Sequence, residues 1–261
     1  MFQWLRKVYE WLLTVGSSKP PKPDKDVYFI NYMFLRKTVG WVGTLLPFVL
    51  LAVNPIAVSI ENSGCGLVPD SVSGYYYTPV RNIFVGALCT LGLFLIAYVG
   101  YDLGDRLVTD AAGLFALGVA LCPTAPTKAS HPSVTCQTVA QLSTREQVVG
   151  GIHLAAAALM FVFLAWMAMR FTKTNKPRYP KKLRRNLIYN ICAIVIIVCL
   201  VAAGITSLLP TSVKAHFPWW LFLYEALAIV AFGVSWFVKG QTLIPAIRDV
   251  PGEVPEPVAQ S

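Results

Sequence analysis

The sequence predicts an all-α integral membrane protein: a bundle of six transmembrane helices with an N-terminal amphipathic helix at the membrane interface. Two observations carry this prediction. Of the 261 residues, 56% are hydrophobic and only 13% are charged, so the chain is far more apolar than a soluble domain. Apolar runs of roughly 17–25 residues, the length that crosses a bilayer, also recur along it. Such runs form helices, because lipid offers no partner to an unpaired backbone group.

The first element is the amphipathic segment "MFQWLRKVYEWLLTV". At helical spacing its apolar side chains lie on one face and its polar ones on the other; the apolar set is Trp4, Val8, Trp11, Leu12 and Val15. This pattern predicts a helix lying in the interface, and a helix packed on a partner subunit is the alternative. The Pro- and Lys-rich linker "SSKPPKPDKD" follows, so residues 1–37 form a cytoplasmic N-terminal region.

Six apolar runs form the predicted transmembrane domain, residues 38–240. They cover about 38–60, 82–101, 107–123, 149–171, 186–209 and 218–238. The third run is short enough that a buried core helix is the alternative for it. The remaining residues, 241–261, are Pro-rich and acidic, which predicts a disordered cytoplasmic tail.

Charge placement predicts the orientation. With six spans and both termini in the cytoplasm, 18 of the 22 Lys and Arg residues fall on the inner side. That bias follows the positive-inside rule, and omitting the third span would invert it. The sequence therefore predicts a multi-pass protein of a cell inner membrane. The net charge of +9 reports this orientation and not nucleic-acid binding.

The inner loop "RFTKTNKPRYPKKLRRN" concentrates positive charge. Its basic residues Lys181, Lys182, Arg184 and Arg185 are predicted to contact anionic lipid headgroups at the cytoplasmic face. The alternative is that these charges only set the topology. Membrane lipids are thus the predicted partners, and a protein partner within the membrane is a further possibility.

Two outer loops each carry one cysteine, Cys65 and Cys136, on the oxidising side of the membrane. We predict a disulfide between them, with Cys122 as an alternative partner and free thiols as the other outcome. No cofactor is predicted, since Walker and dinucleotide motifs are absent from the sequence. The three histidines are too widely spaced to predict a metal site.

A polar cluster is predicted in the outer third of the membrane. It comprises Arg81 and Asn82 at the start of the second span, His153 in the fourth and Glu225 in the sixth. Because a charge in lipid is costly, we expect Glu225 to face the interior and to bond His153 or Arg81, with Asn82 assisting. Such a cluster is either a structural clamp or a site for a headgroup or proton.

A second polar motif, "YDLGDR", lies at the inner end of the second span. Its two carboxylates could serve in catalysis, but a tight turn is the favoured interpretation. Asp102 and Arg106 are expected to fix that turn.

Several motifs together resemble a group of bacterial six-span proteins of unknown function. They are "SIENSGCG", "YYYTPVRNIFVG", "GLFALGVALCPT", "GIHLAAAALMF", "RRNLIYNIC" and "YEALAIVAFGVSWFVKG". More distantly, the layout over residues 38–240 is similar to the FRAG/DRAM/SFK superfamily. There too a polar Pro-containing motif precedes the second span, a histidine opens the fourth and a glutamate lies in the sixth. This resemblance implies a role in lipid remodelling, lipid distribution or membrane trafficking, without an agreed catalytic mechanism.

The resemblance and the composition favour a non-catalytic inner-membrane protein that handles or senses lipid, or that serves as an accessory subunit of a larger membrane complex. Two alternatives use His153 and Glu225. One is a membrane-embedded lipid-modifying enzyme, and the other is a small proton-coupled transporter.

Overall fold

The first transmembrane helix begins earlier than the sequence indicated. In the computed structural model, which describes residues 25–62, 66–98, 100, 102–128, 138–139, 142–172, 180–214 and 216–240, helix α1 begins at Lys25, inside the expected linker. By the contacts within each part, the chain forms two compact units, residues 1–34 and residues 35–261. The expected interfacial helix and the expected tail lie outside the described residues.

Seven α-helices lie within the described residues. They are α1 (Lys25–Glu61), α2 (Arg81–Ala97), α3 (Leu103–Leu121), α4 (Thr144–Arg170), α5 (Pro180–Ser207), α6 (Thr211–Lys214) and α7 (Trp220–Lys239). A 3₁₀ helix (Ser73–Tyr77) precedes α2. Two-residue strands, β1 (Thr127–Lys128) and β2 (Thr138–Val139), pair in parallel between α3 and α4. Each of the six predicted spans therefore coincides with a helix.

Four of these helices are long and apolar enough to cross a membrane. They are α4, α7, the part of α1 from Phe34 to Glu61 and the part of α5 from Leu183 to Ser207. Helix α2 is apolar but has only 17 residues. Helix α3 carries three charges, which lower its hydropathy: Asp105, Arg106 and Asp110. The protein is thus a helical membrane protein, and the count of six spans stays a prediction.

The first turn of α4 shows how local sequence fixes a helix end. The hydroxyl of Ser143 accepts the amide of Glu146 at 3.3 Å, and the carboxylate of Glu146 accepts the amide of Ser143 at 2.7 Å. This reciprocal capping box satisfies two amide groups that the helix leaves without partners. Helix α4, which includes the buried His153, packs against α3.

Helices α2, α3, α4 and α5 pack each on the next, and α7 packs against α5 and α4. Two crossings depend on glycine. A Cβ atom on Gly113 would lie 2.6 Å from the carbonyl oxygen of Gly92, so α2 and α3 touch backbone to backbone. A Cβ atom on Gly233 of α7 would lie 2.9 Å from the carbonyl oxygen of Gly40 of α1. Small residues at both crossings let the helix axes approach closely.

Candidate functional site

The segment between α1 and α2, residues 66–80, folds into one end of the helix bundle. We call this end the Glu225 end. Asn54 of α1 is fully buried and donates hydrogen bonds to the carbonyls of Gly66 (3.3 Å) and Leu67 (2.9 Å). The amide of Phe222 in α7 donates to the carbonyl of Asp70 at 2.9 Å. The aromatic ring of Tyr75 is then completely buried. The segment is therefore part of the packed interior.

Glu225 holds the centre of this segment. Its Oε2 atom accepts the amide of Val72 at 2.7 Å and the amide of Ser73 at 3.3 Å. Val72 is the N-cap residue of the 3₁₀ helix and makes no side-chain capping bond. A helix start presents unpaired amide groups and a positive partial charge, so a carboxylate there is favourable. Glu225, 153 residues further along the chain than Val72, thus caps this short helix from α7.

Arg81 and Asn82 do not reach Glu225. Both side chains are exposed at the start of α2. The Nη2 atom of Arg81 donates to the hydroxyl of Tyr76 at 2.5 Å, and its guanidinium lies 4.1 Å from the centre of that ring. Stacking on a tyrosine uses the ring's negative face without neutralising the charge. Arg81 is therefore a fixed, exposed cation on the surface of this end.

His153 is buried and belongs to a different contact. Its Nδ1 lies 2.7 Å from the carbonyl oxygen of Cys122, the C-cap residue of α3. Because a carbonyl oxygen only accepts, Nδ1 carries the proton in this bond. The last carbonyls of a helix have no partner within it, and His153 satisfies one of them. The histidine therefore fastens α4 to the end of α3.

The expected cluster is thus divided among three separate contacts at one end of the bundle. Glu225 bonds backbone amides, where we expected His153 or Arg81 as its partner. The physical reason is that the 66–80 segment enters the bundle and brings amide donors to the carboxylate. The structure therefore does not join the four residues into one cluster.

A small cavity adjoins Glu225. Apolar side chains from α2, α3 and α4 line it, among them Phe84, Val119 and Met160. Its volume is about 20 Å³, which holds one or two water molecules. Ligand pockets are usually about 300–1,000 Å³, so a lipid substrate does not fit here. Among the residues that line the cavity, Glu225 is the charged one.

The opposite end of the bundle, which we call the Arg170 end, contains a charged group that the sequence did not indicate. Arg170, at the end of α4, bonds Asp102 (2.5 Å) and Asp105 through two different nitrogen atoms. Asp102 also caps α3 by accepting the amide of Asp105 at 2.7 Å. That amide, followed by the charge of Arg170, lowers the pKa of Asp102 below its ordinary value.

Asp102 and Arg106 were expected to fix a tight turn. The amide of Arg106 does donate to the carbonyl of Asp102 at 3.2 Å, but the carboxylate of Asp102 pairs with Arg170 of another helix. Arg106 instead lies 3.7 Å from Asp110, one turn further along α3. The sequence does contain one signal for this group: Asp102, a residue type that caps helices, stands just before an apolar run. Its partner, 68 residues away, could not be read from the sequence.

Aromatic rings pack beside this charged group. Trp236 of α7 contacts Tyr98 and Phe171 with ring centres 4.9 and 5.5 Å apart. Arg36 donates to the hydroxyl of Tyr98 at 3.1 Å, and the ammonium of Lys239 lies 4.8 Å from the centre of the Phe171 ring. Both cations are buried. Rings and ring-stacked cations thus fill the Arg170 end.

The remaining predicted residues are placed only in part. Arg184 is exposed and Arg185 is half-buried near the start of α5, while the side chains of Lys181 and Lys182 lie outside the described part of the chain. Cys65 and Cys136 lie outside it as well, so their disulfide stays a prediction. Cys122, the alternative partner, has a free thiol. Among the described residues, no group of three His, Cys, Asp or Glu side chains could hold a metal ion.

Comparison of the chain with protein-family models, with curated proteins and with solved structures gives no match.

Proposed function

We propose that the protein handles or senses lipid in a cell inner membrane and does not itself catalyse a reaction. In this proposal six helices cross the membrane, both termini are cytoplasmic, and phosphate-bearing lipid headgroups are the ligands. A position as accessory subunit of a larger membrane complex is compatible with the same surfaces. The exposed, ring-stacked Arg81 is the observation that carries the proposal.

Arg81 has the properties of a headgroup contact. No carboxylate lies within ion-pair distance of its guanidinium in the described part of the chain. Tyr76 holds the guanidinium in place, so little side-chain entropy would be lost on binding. The start of an apolar helix is also where a membrane protein meets headgroups, and Arg and Tyr are suited to that depth.

The other end of the bundle offers a second cationic surface. Arg184 is exposed near the start of α5, in the basic run that the positive-inside rule places in the cytoplasm. Each basic residue near an anionic leaflet contributes about 1 kcal/mol to its attraction. Cations at both ends would let the protein contact phosphates of both leaflets.

The non-catalytic part of the proposal is supported by the use of the polar residues. The proton of His153 is engaged by a carbonyl, and the Oε2 atom of Glu225 is engaged by two amides. The cavity beside Glu225 admits water only. These contacts favour structural roles for the two residues on which a lipid-modifying enzyme would depend.

Native mass spectrometry of the purified protein tests the proposal. The protein is released from nanodiscs that contain phosphatidylglycerol and phosphatidylcholine, and bound lipids are counted. We expect wild type to retain phosphatidylglycerol preferentially, and the Arg81→Gln, Arg184→Gln double variant to lose that preference. Arg106→Gln is the matched control, because Arg106 is exposed but paired with Asp110.

Equal retention of phosphatidylglycerol by wild type and by the double variant would contradict the proposal. A loss of the same size in Arg106→Gln would also contradict it, since net charge alone would then explain the binding. A protein that copurifies in stoichiometric amount with wild type would favour the accessory-subunit form of the proposal.

A further inference from the structure

We propose that Glu225 is a proton-binding site, and that binding of a proton releases the 66–80 segment from the bundle. The inference goes beyond the lipid contacts of Arg81, and neither depends on the other. It rests on how the carboxylate is bonded, on the charges around it and on polar atoms that the docked segment leaves without partners.

The hydrogen bonds that Glu225 accepts depend on its negative charge. One oxygen, Oε2, accepts both the Val72 and the Ser73 amide. Amide donors are neutral, so the strength of both bonds depends on the negative charge of the acceptor. A hydrogen bond to an ionised acceptor is roughly twice as strong as one between neutral groups. A proton added to the carboxylate leaves the side chain neutral and weakens both bonds at once.

The charged groups around Glu225 do not neutralise it. From the segment itself, Asp70 lies close enough for its charge to oppose that of Glu225. From α2, Arg81 is turned to Tyr76, and from α4, His153 is bonded to the carbonyl of Cys122. The cavity residues of α3 and α7 near it are the apolar Val119 and Ile229. Among the described residues, no cation near Glu225 therefore stabilises its ionised form against protonation.

The docked segment also carries a cost that undocking would remove. The hydroxyl of Tyr75 and the Oδ1 atom of Asn54 are buried and have no hydrogen-bond partner among the described residues. Both atoms lie where the segment meets the bundle. A buried polar atom without a partner is destabilising relative to its hydrated state. The docked state is thus held by a few bonds against a cost, and neutralising one acceptor can shift the balance.

Hydrogen exchange of the 66–80 amides in lipid nanodiscs tests this inference. Exchange is measured by mass spectrometry between about pH 9 and about pH 4, a range that brackets carboxylate and histidine titration, and is corrected for intrinsic rates. We expect wild type to protect the segment at high pH and to exchange about tenfold faster at low pH, as the neutral acid releases the amides.

Three variants assign the step. Glu225→Gln keeps the size of the side chain but is permanently neutral, so we expect fast exchange at every pH. Asn54→Ala is the matched control, because Asn54 anchors the same segment through donors that do not titrate. We expect it to raise exchange at every pH and to retain the pH step. His153→Gln should retain the step as well.

If the 66–80 amides of wild type are equally protected from exchange at every pH, the inference is overturned. This outcome is read from wild type alone, so it does not depend on whether any variant folds. A pH step that persists in Glu225→Gln assigns the titration to Asp70 or His153 and overturns it equally. If the segment stays protected in Asn54→Ala but the pH step is lost, protonation of Glu225 does not release the segment, which also contradicts the proposal.

Discussion

The two ends of the bundle hold charged side chains in different ways. At the Arg170 end, a cation meets two carboxylates, and aromatic rings enclose the neighbouring cations. At the Glu225 end, a single carboxylate is bonded by backbone amides, with a small cavity beside it. The first arrangement balances charge with charge, and the second balances it with dipoles. At the Glu225 end, the docking of the 66–80 segment is therefore expected to depend on the protonation state of one residue.

The largest effect should come from removing the carboxylate at the Glu225 end. Glu225→Ala leaves the Val72 and Ser73 amides without an acceptor, which we expect to lower the free energy of unfolding by about 3 kcal/mol. Glu225→Gln keeps a neutral acceptor and should cost about 1 kcal/mol. Thermal unfolding in detergent micelles measures both. Equal losses for the two variants would show that the acceptor is unimportant.

The Arg170 end should be somewhat less sensitive. Arg170→Ala removes the guanidinium bonded to the Asp105 carboxylate, which is 18% exposed, whereas Asp102 is 62% exposed and can be hydrated. We therefore expect a loss of about 2 kcal/mol in the free energy of unfolding. Arg170→Lys should recover part of it, because one ammonium cannot copy the fork of a guanidinium. Full stability of Arg170→Ala in the same measurement would contradict the pairing.

His153 should have a smaller and separate effect. His153→Leu removes one hydrogen bond to the Cys122 carbonyl and should cost about 1 kcal/mol. If His153 and Glu225 are independent, the losses of His153→Leu and Glu225→Gln should add to within about 0.5 kcal/mol in the double variant. A larger coupling energy in thermal unfolding would instead indicate the direct pairing that the sequence suggested.

The smallest effect should be the acid sensitivity of Asp102. Its pKa is lowered in the folded protein, chiefly by the amide of Asp105. The stability it contributes is therefore fully present above the unfolded-state pKa of about 3.9 and is lost as pH falls through the lower folded value. Wild type and Asp102→Asn should differ in melting temperature at neutral pH and converge in acid. A constant difference would contradict the cap.

The sequence predicted the helices well, because a run of apolar residues has one stable conformation in lipid. It also predicted that Glu225 and His153 would serve as polar contacts between elements, since unpaired polar groups in the membrane are costly. It could not predict their partners. The 66–80 segment has no periodicity that indicates burial, and its backbone amides carry no sequence signal.

The Arg170 end was missed for a related reason. In the sequence, Arg170 is one charge of a basic loop, and Asp102 belongs to a local turn. Their contact joins the start of α3 to the end of α4, so it depends on how those two helices pack. Local patterns indicate a cap but not a partner from a distant helix.

Solid-state NMR of the protein in lipid bilayers tests the capping of residues 72 and 73 by Glu225 most directly. With ¹⁵N-labelled serine and ¹³C-labelled glutamate carboxylates, dipolar transfer detects amide nitrogens next to carboxylates. Among the described residues we predict two contacts in wild type: Ser73 with Glu225, and Ser143 with Glu146 from the capping box of α4. Glu225→Gln should lose the first and keep the second. A wild-type spectrum that contains only the Ser143 contact would contradict the account.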